Sequence, residues 1–321
     1  MAVSTIAKGP SPTRRAPSRT KTRYRRSETA WGVAFVMPAI TLFAVMGVYT
    51  IVYGFSLSFA SWNGFTPDWR WVGLRNYADL LWADPQYAPI VHQAALNTMW
   101  VMIAVPVLTV LVSFPLALLL NSVRRLKTVL RSVYFLPHVT NGIAVYFAWV
   151  YVLQPDGAIN LLLGSLGLGS LQQPQGFLGN PTTALPTLIV ITVWTSVPVA
   201  MMLYLASLQA VDPSLVEAAR VDGAGPWHVA RRILWPLLRP ITAIVVLLAL
   251  RDSLQGFQTF LIMTNGGPGN HTNVVGLQTY KLAFLSQLSP TLGLASALGW
   301  MLFLGALVLA AINMRALRRL T

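Results

Sequence analysis

Long apolar stretches alternate with short polar ones along most of the chain. About 20 apolar residues cross a bilayer as a helix, because each residue rises about 1.5 Å and the hydrocarbon core is about 30 Å thick. Stretches of that length predict six membrane-spanning helices, with ends defined to within several residues. The expected spans cover residues 31–52 (extendable to 59), 94–120, 133–153, 184–208, 241–263 and 292–314.

The composition supports an all-α, polytopic membrane protein. Of 321 residues, 55% are hydrophobic and only 10% are charged, whereas soluble domains carry about 25% charged residues. The chain contains no cysteine, which excludes a disulfide framework, thiol chemistry and a cysteine-based zinc site.

The basic residues fix the expected orientation, because cytosolic loops of membrane proteins are enriched in Lys and Arg. With the basic N-terminal tail in the cytosol, alternating spans place 19 of the 23 basic residues on the cytosolic side. Arg70, Arg75 and Lys281 lie outside, and Arg251 lies within a span. Both termini are therefore expected in the cytosol. The external segments should include a short surface helix near residues 158–163 and a turn at residues 265–270.

The tail, residues 1–30, is separate in character from the membrane domain, residues 31–321. It is rich in Ser, Thr, Pro and Arg between residues 8 and 26 and is expected to be disordered. Its composition resembles a transit peptide, and Arg25-Arg26 resembles a twin-arginine signal. The apolar run that follows is too long for a signal-peptide core, which favours a cytosolic anchor tail.

A polar, charged stretch stands out between the fourth and fifth apolar segments. Asp212 is placed to cap a helix and Pro213 to occupy its first position, and good helix formers follow. Gly223 and Gly225 are expected to end this helix, since glycine adopts backbone angles that other residues resist. Pro226 then begins a second, amphipathic piece. The sequence predicts a helix, a sharp turn and a second helix at one membrane face.

The same stretch resembles the EAA loop of permease subunits of bacterial ABC importers. That loop carries Glu-Ala-Ala, three residues, Gly, nine residues and then Ile-x-x-Pro. Trp235 stands where the family usually has Leu, and Asp222 completes a form similar to that of the carbohydrate-importing branch. We call residues 212–240 the coupling loop. The residues that match the pattern are Glu217, Ala218, Ala219, Gly223, Ile233 and Pro236.

Other segments also resemble the binding-protein-dependent sugar permeases, so the resemblance covers about residues 31–319. It implies the type I ABC importer permease fold, an inner-membrane location and one half of a translocation pore for carbohydrate. It also implies four partners: a second homologous permease, two ATP-binding subunits and an extracytoplasmic solute-binding protein. The matching segments are residues 58–59, 73–77, 135–137, 157–160, 264–269 and 280–284.

The resemblance implies that the coupling loop docks in a cleft of an ATP-binding subunit. The loop would then transmit the motion of that subunit to the membrane helices. Glu217 would pair with a basic residue there, although simple solvation is the alternative for this side chain. Ala218 and Ala219 would permit close approach, and Gly223, after Asp222, would set the turn. A short helix transmits force where a floppy loop would not.

The chain lacks the residues for chemistry of its own. It has no Gly-x-x-x-x-Gly-Lys-Ser/Thr phosphate loop, so ATP is expected on the partner subunits and no cofactor on this chain. No carboxylate pair or nucleophile elbow stands out, which indicates no enzyme. No metal site is expected, because the histidines are widely separated; they are His92, His138, His228 and His271.

Polar residues inside two spans are the candidates for the substrate path, because a charge at the bilayer centre costs about 3 kcal/mol and usually faces a cavity or a partner. Arg251 and Asp252 fall within the fifth span, and Arg251 either contacts the partner permease or faces the path. By resemblance to related permeases, Gln255 and Gln258, one turn apart, and residues 194–196 line the sugar site. The latter are Trp194, Thr195 and Ser196, ahead of an expected kink at Pro198. Ordinary helix packing is the alternative for each; weaker candidates are Asn97, Asn141 and Trp149.

Two other classes of function compete with an ABC permease. A secondary carrier or channel working alone tends to show inverted repeats and coupling charges near the midplane, and here only Arg251 and Asp252 fit that description. A membrane-anchored nucleic-acid binder would use the basic tail, but the tail lacks interleaved aromatic residues and an accompanying fold. Deletion of residues 1–26 distinguishes this last class, since it should leave transport largely intact in a permease.

Overall fold

The computed structural model describes residues 19–123, 126–140, 142–285 and 291–318. The chain forms two compact units, residues 1–54 and 55–321. Most of the described residues are helical, as the apolar pattern predicts. The first unit is one continuous helical run that begins at Arg19, ahead of the expected start of the first span. The tail was expected to be disordered over residues 1–30, but residues 19–30 form the first part of a helix, and residues 1–18 lie outside the described residues.

The α-helices are numbered in chain order, and their bounds are α1 Arg19–Leu42, α2 Tyr49–Leu57, α3 Arg75–Ala78, α4 Tyr87–Ser122, α5 Lys127–Val139, α6 Gly142–Val152, α7 Ala158–Ser165, α8 Pro181–Gln209, α9 Pro213–Val221, α10 Pro226–Val229, α11 Trp235–Leu237, α12 Arg239–Gln255, α13 Phe257–Thr264, α14 Val275–Tyr280 and α15 Leu292–Arg318. Wider π-helical turns occupy Phe43–Val48, Asp79–Ala83, Ala230–Leu234 and Lys281–Leu285, and a 3₁₀ turn occupies Gly169–Leu171. Two short antiparallel strands, β1 Ala60–Ser61 and β2 Arg70–Trp71, pair with Ala60 opposite Trp71.

Within the described residues, four helices are long and apolar enough to cross a membrane: Trp31–Leu57, Tyr87–Ser122, Pro181–Gln209 and Leu292–Arg315. A fifth span is obtained if Pro226–Leu237 and Arg239–Gln255, which meet at an angle of 73°, are counted together. The four long helices overlap the expected first, second, fourth and sixth spans, and Arg239–Gln255 overlaps the first part of the expected fifth span, residues 241–263. The expectation of six continuous membrane helices is therefore met only in part.

The third and fifth expected spans are broken rather than continuous. Residues 133–153 fall on α5 and the short apolar helix α6, and α5 ends at Val139 with Thr140 in an extended conformation; Asn141 lies outside the described residues. The fifth span breaks at Gly256, between α12 and α13. A methyl group added at Gly256 would lie 2.6 Å from the carbonyl oxygen of Asp252. Close approach to this carbonyl therefore requires glycine at the break.

The core of the second unit lies between α4, α8 and the broken fifth span. Val101 of α4, Leu188 of α8 and Phe260 of α13 are almost completely buried in one apolar cluster. A second cluster, nearer the coupling loop, joins α4, α8 and α12 around Met201 and Val245. Branched and flexible apolar side chains fill these contacts, so the three elements form one packed body.

Two buried asparagines hold the expected external loops. Asn97 of α4 donates from Nδ2 to the carbonyls of Asn270 (3.1 Å) and Asn273 (2.8 Å) and so holds the loop after α13. Asn160 of α7 donates to the carbonyls of Pro155 and Gln173, both at 2.9 Å. These two loops, with the end of α6, line a cavity of about 380 Å³. The expected surface helix near residues 158–163 is confirmed as α7.

Candidate coupling loop and transport path

The first half of the coupling loop is a capped helix, as the sequence predicts. The Asp212 carboxylate accepts a hydrogen bond of 2.9 Å from the Ser214 backbone N–H, and Pro213 occupies the first position of α9. This hydrogen bond from Ser214 lowers the pKa of Asp212 below its ordinary value. A charged, capping carboxylate satisfies one of the free N–H groups at the start of the helix.

Gly223 closes α9 through a Schellman motif. Its φ is +82°, the Gly223 N–H donates to the carbonyl of Arg220 (3.0 Å), and the Ala224 N–H donates to that of Ala219 (2.9 Å). Glycine adopts this left-handed conformation without a steric penalty. Gly225 differs from expectation, because its φ is −69° and any residue adopts that backbone. It precedes Pro226, which starts α10.

The motif residues of α9 face outward. Glu217, Ala218, Asp222 and Gly223 are exposed, and Ala219 is half-buried. None of the residues of α9, from Pro213 to Val221, is buried. Because isolated helices of this length are marginal in water, most helices in proteins depend on packing for stability. The outward face of α9 therefore lacks, within this chain, the contacts that usually stabilise a helix.

The second half of the coupling loop is fixed to the packed helices. Leu234 and Leu238 join the apolar cluster of α4, α8 and α12. The ring of Trp235 packs edge-on against Phe114 of α4, with centroids 5.0 Å apart. Trp235, the departure from the usual Leu, thus makes a specific aromatic contact. The loop consists of an exposed helix and a partly buried base.

Phe114 also ties that base to α8. Its ring packs edge-on against Tyr204, with centroids 5.5 Å apart. The Tyr204 hydroxyl donates to the hydroxyl of Thr242 in α12 over 3.0 Å. The coupling loop, α4, α8 and α12 are therefore joined by a chain of direct side-chain contacts.

The path candidates of the fifth span share its exposed face. Arg251, Asp252, Gln255 and Gln258 are all exposed, on both sides of the break at Gly256. Asp252 lies close enough to Arg251 and to His138 of α5 to interact electrostatically with both. Charged side chains in a span avoid lipid because of the cost of burying charge in hydrocarbon. This face of the chain is therefore suited to a water-filled path or a protein partner.

The candidates on α8 are only partly accessible. Trp194 is 39% exposed, and its ring packs edge-on against Trp149 of α6 with centroids 5.4 Å apart. Thr195 and Ser196 are half-buried, and the Thr195 hydroxyl donates to the carbonyl of Thr192 over 2.9 Å. The structure thus pairs Trp194 with Trp149, one of the weaker candidates. Pro198 lies inside α8, which continues as one helix from Pro181 to Gln209.

Residues 109–320 match the family described as binding-protein-dependent transport system inner membrane component. The chain belongs to this family.

Relatives from several organisms agree with this membership. A probable ABC transporter permease protein, YurN of Bacillus subtilis, is 30% identical over 88% of this chain and 94% of its own length. The multiple sugar-binding transport system permease protein MsmF of Streptococcus mutans is 28% identical over 85% of this chain and 90% of its own. The trehalose/maltose transport system permease protein MalF of Thermococcus litoralis is 29% identical over 81% and 85%.

A solved structure shares the fold. It is a bacterial alginate ABC transporter in complex with a pentasaccharide-bound periplasmic protein, and one of its chains is 23% identical to this one. The TM-score is 0.76, and the match covers 95% of this chain and 99% of the other. The all-α, polytopic permease fold expected from the sequence is confirmed.

As a member of the inner membrane component family, the chain is a transporter subunit and not an enzyme. The family match contains the whole coupling loop and the candidates from Trp194 to Gln258. Asn97 lies before it, and its amide holds the loop after α13.

Sequence reasoning missed several residues that organise the site. The apolar pattern predicts a continuous helix through Gly256, because an isolated glycine is tolerated inside a helix and does not by itself indicate a break. Phe114 and Tyr204 carry no local signal, because aromatic residues in an apolar span are ordinary. Their role depends on where Trp235 lies in the folded chain, and the sequence does not give that position.

Proposed function

We propose that this permease subunit imports carbohydrate in an ATP-driven complex. Its partners are a second homologous permease, two ATP-binding subunits that supply the energy and an extracytoplasmic solute-binding protein. Both termini and the coupling loop face the cytosol, and the membrane is the inner membrane of a bacterium. No cofactor binds to this chain, because the ATP sits on the partner subunits.

The observation that carries the proposal is the outward face of α9. A helix capped at Asp212, closed at Gly223 and devoid of buried residues is suited to docking in a cleft of another protein. The spacing of Glu217, Ala218 and Ala219 matches the EAA loop. Membership of the family leaves no support for a secondary carrier that works alone.

The contacts at the base of the loop suggest how motion reaches the membrane. Closure of the ATP-binding subunits would displace α9, and the Trp235–Phe114 contact would pass this displacement to α4. Tyr204 and Thr242 would pass it to α8 and α12. The packed cluster resists deformation, because protein interiors are close-packed. The helices would then tilt as a body and change the accessibility of the exposed face of the fifth span.

Carbohydrate is supported by the side chains of that face and by the relatives. Sugars need hydrogen bonds for their hydroxyl groups and an aromatic surface for the C–H face of the ring. Gln255 and Gln258 supply the first, and the partly exposed Trp194, supported by Trp149, supplies the second. Arg251, Thr195 and Ser196 complete the proposed path. The names of the relatives include trehalose, maltose and multiple sugars.

The test compares coupling variants in proteoliposomes that contain the complete complex. Gly223→Val forces a branched side chain into a left-handed backbone at a cost of about 1–2 kcal/mol, which lowers the population of the native turn about tenfold. Glu217→Lys reverses the charge on the docking face. Both should retain ATP hydrolysis and lose sugar uptake. Gly223→Asn is the matched control, because Asn tolerates this conformation, and should transport nearly normally.

Uptake of labelled trehalose, maltose and lactose, with ATP hydrolysis in the same vesicles, gives the ratio of sugar moved to ATP consumed. Normal ratios for both Gly223→Val and Glu217→Lys would contradict the coupling role. Uptake by the purified chain alone, without nucleotide or a second protein, would contradict the proposal as a whole.

A further inference from the structure

The exposed half of the coupling loop has a net negative charge, whereas the protein as a whole is basic. Residues 212–228, which we call the docking segment, carry three carboxylates and one arginine, a net charge of −2. The whole chain carries +14 and only nine acidic residues. The three carboxylates are exposed, and they belong to Asp212, Glu217 and Asp222.

Two large apolar side chains stand out of this acidic surface. Val221, the last residue of α9, is 88% exposed, and Trp227, the second residue of α10, is 76% exposed. They are the most exposed large apolar residues of the coupling loop, ahead of Leu215 and Leu237. They flank the Gly223 turn on its two sides.

Val221 shares a helix face with the EAA motif. Residues three and four positions apart lie on the same side of a helix, so Val221 is aligned with Glu217 and Ala218. All three are exposed, whereas Val216 and Ala219, on the opposite side, are half-buried. The small Ala218 thus lies between an acidic and an apolar side chain on one docking face.

A lipid surface fits this face poorly. The cytosolic leaflet carries a negative potential that attracts Lys and Arg, and the docking segment has an excess of carboxylates. A protein surface with an apolar pocket and a basic rim fits better, because interface hot spots are enriched in Trp and lie in desolvated pockets surrounded by polar contacts. Opposite charges on the rim accelerate association.

We propose that Trp227 and Val221 are the apolar anchor through which this permease binds its ATP-binding subunit. They enter a pocket whose Lys and Arg side chains pair with Asp212, Glu217 and Asp222. This inference rests on the proposed function and adds to it that the affinity comes mainly from two residues at unspecified positions of the EAA pattern, one on each side of its turn.

The experiment measures binding of the purified ATP-binding subunits to the permease pair in nanodiscs. Trp227→Ala should weaken the Kd by about tenfold or more, the usual size of a hot spot, and Val221→Ala should weaken it less. Trp227→Phe should restore most of the affinity. Trp82→Ala is the matched control, because Trp82 is 72% exposed but lies between the expected first and second spans, on the expected external side, and it should leave the Kd unchanged.

A second measurement separates the apolar contribution to binding of the ATP-binding subunit from the electrostatic contribution. Raising the salt concentration should slow association of the native complex, and Asp222→Asn should reduce this salt dependence. The Trp227→Ala defect should persist at high salt, because apolar burial is not screened. The thermal stability of the permease pair should be unchanged, since Trp227 is largely exposed.

Native affinity of Trp227→Ala would overturn the inference. So would a defect that appears only in nanodiscs with anionic lipid, because Trp227 would then be a lipid anchor. Failure here is distinct from failure of the proposed function. If Trp227→Ala binds normally while Gly223→Val still uncouples transport, the proposed function stands; if the native pair binds no ATP-binding subunit, the proposed function itself fails.

Discussion

Single residues fix both ends of α9. Asp212 supplies a carboxylate to a free N–H at the start of the helix, and Gly223 supplies the left-handed conformation beyond its end. These two positions confine the exposed motif to one short, rigid helix. Rigidity matters at this scale, because a frayed end would absorb motion that the loop has to transmit.

Loss of the cap should loosen the first turn of α9. Asp212→Ala leaves the Ser214 N–H without its acceptor, so we expect faster amide exchange in residues 213–217. Asp212→Asn is the matched control, since Asn caps about as well as Asp. Hydrogen–deuterium exchange with mass spectrometry on the purified complex measures both. Equal exchange in the Ala and Asn variants would show that the cap is unimportant.

The hydrogen bond from the Ser214 N–H to Asp212 also determines in which direction the stability of α9 changes with pH. It lowers the pKa of Asp212 in the folded chain below the ordinary value of 3.8. The stabilisation from the charged cap is therefore fully present above that value and is lost as the pH falls through the lower, folded-state pKa. Between about pH 6 and 8 this carboxylate should not change the stability of α9.

Residues with local effects were predictable, and residues with distant partners were not. Asp212, Pro213 and Gly223 affect only the backbone within one or two helical turns, so their roles can be predicted from the neighbouring sequence. Asn97 donates to a carbonyl 173 positions away. A buried amide in an apolar helix has the same sequence signature whether it lines a path or fastens a loop, and here it fastens a loop.

At the scale of elements, the breaks in two spans are the main departure from the pattern. Hydrophobic length predicts where a span lies, but a single glycine or threonine is tolerated inside a helix, so it does not predict where the span breaks. The break at Gly256 lies among the polar residues of the exposed face, with Gln255 before it and Gln258 after it. It interrupts the helix at the proposed path.

Filling the break should disturb the fifth span. In Gly256→Ala the new methyl group would lie 2.6 Å from the Asp252 carbonyl oxygen, so α12 and α13 have to shift, at a cost of about 1–3 kcal/mol. We expect a lower unfolding temperature of the complex and slower uptake, with membrane insertion intact. Gly305→Ala in α15 is the matched control, because nothing lies within 4 Å of its added methyl group. Similar behaviour of the two variants would contradict a role for the break.

At the scale of the whole molecule, the base of the coupling loop and the proposed path belong to one packed body. Helices α4, α8 and α12 share apolar clusters, and Phe114 connects them to Trp235. The sequence predicted most of the long apolar helices that the structure contains. The sequence did not predict which helices pack together. The spans are apolar on nearly all sides, so their sequences do not indicate which side of a helix contacts its neighbours.

Orientation is the property of the whole molecule on which the direction of transport depends. In the proposed orientation, which the distribution of basic residues supports, the β1–β2 loop lies outside and the docking segment lies inside. The absence of cysteine makes the assignment testable, because one introduced thiol is then the only thiol of this chain. Asp68 and His228 are suitable positions, since both are exposed and lie in the two opposite segments.

Intact cells that produce Asp68→Cys should react with a membrane-impermeant maleimide, whereas cells that produce His228→Cys should react only after permeabilisation. Labelling of the purified chain, with its tag, separates it from thiols of other proteins. The reverse pattern would invert the permease and place α9 on the side without ATP. Labelling of both variants in intact cells would mean that an odd number of spans does not separate these segments, and the coupling mechanism would lose its geometric basis.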